Sequence, residues 1–82
     1  MQEMILILSR CQSRCLRPRT QKTFFRFHFK GFYTGQKIKE IHVYPLSNIE
    51  MDKGEDYLLW VKYQAIKQSV LEVSLMKFKK IE

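Results

Sequence analysis

The chain has 82 residues, enough for a single small domain with a thin hydrophobic core. Its hydrophobic content of 45% and aromatic content of 13% indicate a folded domain and exclude a disordered segment. So small a domain has little room to bury a large cofactor, and the sequence contains no local catalytic signature. We therefore expect residues 1–82 to form one binding domain without a cofactor, and we do not expect an enzyme.

The positive charge lies in the first half of the chain. The formal net charge is +7; residues 1–41 carry nine Lys or Arg against two Glu, whereas residues 42–82 carry six residues of each sign. All five Arg lie between Arg10 and Arg26. A one-sided basic field attracts nucleic acid, anionic membrane or an acidic protein. Chance clustering in a basic protein is the alternative explanation.

The first predicted element is a strand over residues 4–15, which begins with the apolar run 4–8. We predict that this run is a buried strand. Five apolar residues are too few for a secretory signal, and a membrane span needs about 20. The sequence therefore predicts a cytoplasmic chain with no membrane partner.

Two cysteines, Cys11 and Cys15, fall within this strand. A spacing of four residues separates them by roughly 13 Å in an extended chain, farther than a disulfide reaches. Together with His28 and His42 their spacing does not fit a two-Cys, two-His zinc finger. We predict two reduced thiols and no metal, with a metal site assembled from separate strands as the alternative.

A basic loop, residues 16–22, follows, and Pro18 within it removes a backbone donor and ends the strand. The second strand is predicted over residues 23–33 and contains five of the six Phe. Because alternate side chains of a strand point to opposite faces, this strand has two distinct faces. The face predicted to fill the core has Phe25, Phe27 and Phe29. The opposite face has Phe24, Arg26, His28 and Lys30.

A hairpin turn at Gly35 leads to a third predicted strand over residues 37–44, and Gly31 before it is expected to permit a bulge or a sharp bend at a barrel corner. Ile41 and Val43 occupy one face of this third strand. The other face has Glu40, His42 and Tyr44. After Pro45, residues 47–50 fit a helix capping box, so we predict a short helix or a loop before the next strand.

The last third of the chain has two interpretations. Apolar alternation over residues 57–66 and again over 70–78 favours two strands rich in aromatic and β-branched residues. A long helix over residues 57–80 is the alternative, because apolar residues also recur there at helical spacing and no Gly or Pro interrupts them. We favour the two strands.

Five strands with a short helix or loop between the third and fourth resemble the oligonucleotide/oligosaccharide-binding fold, the OB-fold, over nearly the whole chain. The resemblance is carried by a hydrophobic strand that becomes basic (5–14), an aromatic strand (24–29), a third strand (41–44), a glycine-led fourth strand (54–61) and an alternating fifth strand (70–78). The chain departs from the family in its short segment between strands three and four and in lacking a glycine in strand one. The resemblance implies an all-β, five-stranded Greek-key barrel.

The OB-fold resemblance also implies a binding site. In that fold, single-stranded nucleic acid typically crosses the outer face of strands two and three, flanked by the loops that join strands one to two and four to five. The candidate site residues in these elements are Arg14, Arg17, Arg19, Lys22, Phe24, Arg26, His28, Lys30, His42, Tyr44 and Lys67. Lys and Arg neutralise phosphates, and aromatic rings stack on bases. We therefore expect a largely sequence-tolerant module that binds single-stranded DNA or RNA.

These candidate residues also have structural explanations. Phe24 and Tyr44 would then cover an edge of the core, His42 would be a solvated strand residue, and the basic loop would serve solubility. The alternative function is a protein-interaction or assembly module, a homo-oligomer or a subunit of a larger complex, without nucleic-acid binding. Its surface would be the outward apolar side chains of the fourth strand, Leu58, Trp60 and Ile66.

Overall fold

Five β-strands form a closed barrel in the computed structural model, which describes residues 3–82. The strands are β1 (Met4–Leu16), β2 (Thr23–Tyr33), β3 (Gln36–Tyr44), β4 (Asp56–Lys67) and β5 (Val70–Lys80). Their order around the barrel is β1-β2-β3-β5-β4; β3 and β5 are parallel, and the other pairs are antiparallel. The predicted all-β, five-stranded barrel is confirmed, and it is compatible with an OB-like fold.

Strands β4 and β5 form a hairpin, so the alternative of one long helix over residues 57–80 is wrong. Lys67 and Val70 pair, and the two turn residues between them, Gln68 and Ser69, have positive φ values of 52° and 64°. Such a two-residue turn matches the twist of the flanking strands. Period-two burial of apolar side chains outweighs the poor fit of Gln and Ser to a turn that prefers Asn and Gly.

The barrel interior is filled by side chains from all five strands and by Met51 of the segment between β3 and β4. Phe25 and Phe27 are fully buried as predicted, and Phe29 packs against the core while remaining partly exposed. The ring of Phe27 meets that of Tyr57 edge-on at 6.0 Å between centroids, an arrangement favoured for aromatic pairs. The remaining buried hydrophobic residues are Ile7, Cys11, Ile38, Ile41, Val43, Met51, Leu59, Val61, Leu71, Val73 and Leu75.

Four register irregularities change which way side chains point, and two of them lie between β4 and β5. In β2 the register shifts between His28 and Gly31, where a bulge was predicted; a Cβ on Gly31 would lie 3.3 Å from the ring of Phe29. In β1 the register shifts between Cys11 and Ser13. An extra residue in one strand reverses the alternation beyond it. Strand β1 therefore has a different outward set on each side of its bulge.

No helix is present among residues 3–82, so the helical interpretation of the capping box at residues 47–50 is wrong and the loop alternative holds. The linker has bends at residues 46–47 and a turn at 53–54, and Met51 between them is buried in the core. Its backbone is anchored to the barrel: the amide of Gly54 donates to the carbonyl of Cys11 at 2.8 Å, and the amide of Asp52 donates to the Tyr57 hydroxyl at 2.7 Å. These hydrogen bonds hold the linker against β1 and β4 without a helix.

The prediction of a buried first strand is only half right. Ile7 points into the barrel, but Met4, Leu6 and Leu8 are 51%, 57% and 66% exposed. A barrel strand presents one parity to the interior and the other to the outside, and here both parities are apolar. Within residues 3–82 there is no helix long and apolar enough to cross a membrane.

Candidate functional site

Three rings form a cluster on the outer surface of β2 and β3. The Phe24 ring lies 4.9 Å from that of His42 and 5.2 Å from that of Tyr44, between centroids, with interplanar angles of 35° and 37°. All three residues are half-buried. The sequence placed them on one face, because each has the outward parity of its strand. The cluster leaves part of each ring accessible to a flat ligand.

Two arginines lie at this ring cluster. The Arg17 guanidinium lies over the ring of Tyr44, 4.2 Å from its centroid, within the range of a cation–π interaction. Arg26 is exposed and is the cross-strand neighbour of His42, so it stands on the same outer surface. We call Arg17, Phe24, Arg26, His42 and Tyr44 the aromatic face. It combines the two group types that a single-stranded polyanion with planar bases requires.

Two carboxylates, Glu40 and Glu72, lie beside these cations. Their hydrogen bonds position the rings of His42 and Tyr44. Glu40 hydrogen-bonds to Nε2 of His42, and Glu72 accepts a hydrogen bond from the Tyr44 hydroxyl at 3.0 Å. Burial raises the pKa of Tyr44; the Arg17 hydrogen bond acts in the opposite direction, and Glu72 raises the pKa again. Tyr44 therefore remains a neutral donor at neutral pH. The carboxylates also reduce the positive charge of the face.

Lys67 joins this network from the end of β4. Its Nζ lies 3.8 Å from Oε1 of Glu72, the carboxylate whose other oxygen accepts from Tyr44. The lysine side chain is 74% exposed, whereas that of Glu72 is 15% exposed. The sequence did not identify Glu72 as part of the site. Its outward parity in β5, combined with the parallel pairing of β5 on β3, places it beside His42.

The side chains of Arg14 and Lys22 are not among those that contact the three rings, although the Lys22 carbonyl accepts from the Arg17 amide at 2.9 Å. Beyond the β1 bulge Arg14 pairs with buried Phe25, and its guanidinium is 3.4 Å from the Thr23 hydroxyl. Both cations line a surface depression formed with the linker residues 45–50. Arg19 is exposed in the turn between β1 and β2, a turn closed by the Gln21 amide donating to the carbonyl of Arg17. Because the β1 bulge reverses the alternation of side chains, Arg14 does not lie on the outer surface on which it was predicted.

His28 and Lys30 extend the predicted set toward the other end of β2. His28 is exposed, and its Nδ1 lies 3.3 Å from Nε2 of Gln12. Together with Arg26 it borders an open groove of about 710 Å³ that is also lined by Arg10 and Lys53. Lys30 is exposed beside the β2 bulge. Sequence reasoning did not place Arg10 or Lys53 near the site, because neither lies on a predicted binding element.

The cysteines and histidines are dispersed. Cys11 is a buried free thiol whose pKa is raised by burial, and Cys15 is a half-buried free thiol beside Phe24 in the β1–β2 register. Across residues 3–82, no group of three or more His, Cys, Asp or Glu side chains is arranged to hold a metal ion.

No family model, no curated protein and no solved structure matches this chain at a significant level. The function must therefore be inferred from the barrel and from the residues on its surface.

Proposed function

We propose that this barrel binds single-stranded nucleic acid on its aromatic face, with the phosphates held by cations and the bases stacked on rings. The observation that carries the proposal is the cluster of Phe24, His42 and Tyr44 with Arg17 over one ring and Arg26 beside another. Stacking on an aromatic ring contributes about 1–3 kcal/mol per base and accepts any base, since every base has a π-face. The binding is accordingly largely sequence-tolerant, and the ligand is single-stranded DNA or RNA.

The cations give the proposal its salt dependence. Arg17, Arg26 and Lys67 can neutralise phosphates and release counterions, in addition to holding their neighbours in place. For a single strand, each neutralised phosphate contributes about −0.7 to the slope of log K against log salt concentration, so three contacts predict a slope of about −2. The slope is modest because only three cations of this surface are counted as phosphate contacts.

The experiment is a fluorescence-anisotropy titration of end-labelled single-stranded and double-stranded oligonucleotides at several salt concentrations. A labelled oligonucleotide is preferable to the fluorescence of Trp60, because Trp60 lies on β4, next to Leu6 of β1 and away from the aromatic face. The proposal predicts tighter binding to the single strand and a slope of about −2. Salt-independent binding, or none at the lowest salt concentration, would contradict it.

A protein-interaction module without nucleic-acid binding is the alternative function. Exposed Leu6 and Leu8, adjacent to Trp60 and Leu58 in the β1–β4 register, favour a contact surface on this wall. Ile66 does not belong to that surface: beyond a β4 bulge it pairs with buried Leu71 and packs against the core. The same titration separates the two functions, since the alternative predicts no oligonucleotide binding.

A further inference from the structure

A second surface, on the wall formed by β1, β4 and β5, has a chemistry different from that of the aromatic face. Its β1 side chains are exposed and apolar, and they continue onto β4 through the registered pairs Leu6 with Trp60 and Leu8 with Leu58. We call Met4, Leu6, Leu8, Leu58 and Trp60 the apolar face. A contiguous group of exposed large apolar side chains on a small domain marks an interaction site.

A row of lysines borders the apolar face on the next strand. Lys77 of β5 pairs with Trp60, and Lys79 pairs with Leu58. The Lys77 ammonium lies over the Trp60 ring at 4.8 Å from its centroid. We call Lys77 and Lys79 the lysine row. Across the wall the surface therefore changes from apolar on β1, through a ring and a leucine on β4, to cationic on β5.

The outward side chains of β1, β4 and β5 form three parallel columns. The distance across these columns matches the width of one helix of a partner protein. Neighbouring strands in a sheet lie about 4.8 Å apart, so the exposed leucines of β1 and the lysine row of β5 are separated by about 10 Å. An α-helix with its side chains is about 10 Å wide, so a single helix covers all three columns. The segment that fits has an apolar stripe for β1 and β4 and an adjacent acidic stripe for β5.

The charges of the wall disfavour a second copy of this chain as the occupant. Three lysines lie on it: the two of the lysine row on β5, and Lys62 of β4, which pairs with Met4. One of its carboxylates, Asp56, is already bonded to Arg10, with Nε and Oδ1 3.0 Å apart. A copy placed on this wall would bring the two sets of lysines together, with the exposed Glu3 beside Met4 as the carboxylate left to face them.

We propose that the wall formed by the apolar face and the lysine row is a docking surface for an amphipathic, acidic segment of a partner protein. The leucines and Trp60 bury the apolar stripe of that segment, and the lysine row pairs with its Asp or Glu side chains. This surface is separate from the aromatic face, so the chain carries two binding surfaces. Nucleic acid on one and a protein on the other can be held at the same time.

The test is selection of peptides from a random display library on the full chain. The proposal predicts enrichment of peptides that combine apolar residues with Asp or Glu. The Leu6→Ser/Leu8→Ser variant is expected to weaken binding of a selected peptide at least tenfold. Phe32→Ser is the matched control, since Phe32 is 71% exposed but lies on β2, and it should change binding less than twofold.

A charge-reversal variant tests the partner's chemistry. Lys77→Glu/Lys79→Glu should weaken binding of the acidic peptides at least tenfold and shift the selection toward peptides with Lys or Arg. Circular dichroism of each variant checks that it folds, which we expect because the changed side chains lie outside the core.

Several outcomes would overturn the proposal. These are no enrichment, enrichment of peptides without acidic residues, or binding that Leu6→Ser/Leu8→Ser leaves unchanged. Association with vesicles containing phosphatidylserine, in the absence of peptide binding, would assign the wall to an anionic membrane. Sedimentation of a dimer that Leu6→Ser/Leu8→Ser dissociates, again without peptide binding, would assign it to a second copy.

Discussion

The two outer surfaces of this barrel differ in how their side chains are held. On the aromatic face each outward ring has partners: Phe24 rests on two rings, His42 bonds to Glu40, and Tyr44 lies between Arg17 and Glu72. On the apolar face the leucines of β1 protrude with more than half of their surface exposed. A supported polar surface is pre-organised for a ligand, whereas exposed aliphatic side chains gain stability only when something covers them.

Adjacent residues of β4 give the largest expected effect. Leu59 is fully buried and Leu58 is half-buried on the apolar face. Leu59→Ala should lower the free energy of unfolding by about 2–5 kcal/mol, because it removes core volume. Leu58→Ala should lower it by less than about 1 kcal/mol. Urea denaturation measures both. Equal losses would show that the apolar face is part of the core and not a free surface.

Removing cations from each surface in turn separates the two proposed binding functions. Arg17→Ala/Arg26→Ala should weaken binding to a single-stranded oligonucleotide about 100-fold, since two charge-assisted contacts to phosphate are lost. Lys77→Ala/Lys79→Ala removes the same charge from the other wall. It should weaken binding less than about threefold, because exposed charges farther away than a Debye length are screened. Anisotropy titrations of both variants measure the ratio of their dissociation constants for the oligonucleotide. Similar losses would mean that net charge, rather than the aromatic face, binds the oligonucleotide.

A single ring substitution tests stacking separately from charge. Phe24→Ala should weaken oligonucleotide binding by about 2 kcal/mol, or about 30-fold, within the range measured for base stacking. The slope of log K against log salt concentration should not change, because no cation is removed. Phe32→Ala, on the same strand but outside the aromatic face, serves as the control. Unchanged affinity in Phe24→Ala would indicate that Phe24 only covers the edge of the core.

The contribution of the Tyr44 hydroxyl to the stability of the fold is expected to depend on pH. Tyr44→Phe should lower the free energy of unfolding by about 1 kcal/mol at neutral pH, since Glu72 loses a hydrogen-bond donor. Burial raises the pKa of Tyr44 in the folded chain, so the hydroxyl stabilises the fold below the unfolded-state value of about 10. That stabilisation is lost as pH rises above about 10 through the raised pKa. Denaturation of the unaltered chain and of Tyr44→Phe from pH 7 to pH 11 measures the difference between their free energies of unfolding. A difference that grows with pH would contradict this prediction.

The β4–β5 turn offers a change that touches neither surface. Ser69 has a φ of 64°, a conformation that Gly adopts at little cost. Ser69→Gly should raise the free energy of unfolding by about 0.5–1 kcal/mol, measured by thermal denaturation. Oligonucleotide and peptide binding should both stay the same. Altered binding would show that the turn contributes to one of the surfaces.

Much of the barrel follows from the sequence because alternation and turn residues are local signals. A few neighbouring residues are enough to predict which face of β2 enters the core, the two strands in the last third of the chain and the bulge at Gly31. The linker at residues 47–50 shows the limit of such signals. Its capping box is a helix signal, but burial of Met51 and the bonds from the linker to β1 and to Tyr57 override it.

The sites were less predictable, because strand pairing determines them. Phe24, Arg26, His42 and Tyr44 come together by parity alone, as the sequence indicated. Arg14 does not join them, because the β1 bulge reverses its side, and a single sequence does not reveal that bulge. The apolar face likewise depends on pairing: residues 4–8 are apolar at every position, so periodicity could not show which of them are outside.

A chemical-shift titration of the ¹⁵N-labelled chain with a short single-stranded oligonucleotide locates the binding surface residue by residue. We expect the amides of β2, β3 and the β1–β2 loop, including those of Arg17, Phe24 and His42, to shift and saturate together. The amides of Leu6, Leu8 and Trp60 should remain in place. Absence of shifts at low salt, or shifts centred on β1 and β4, would contradict the assignment of nucleic-acid binding to the aromatic face.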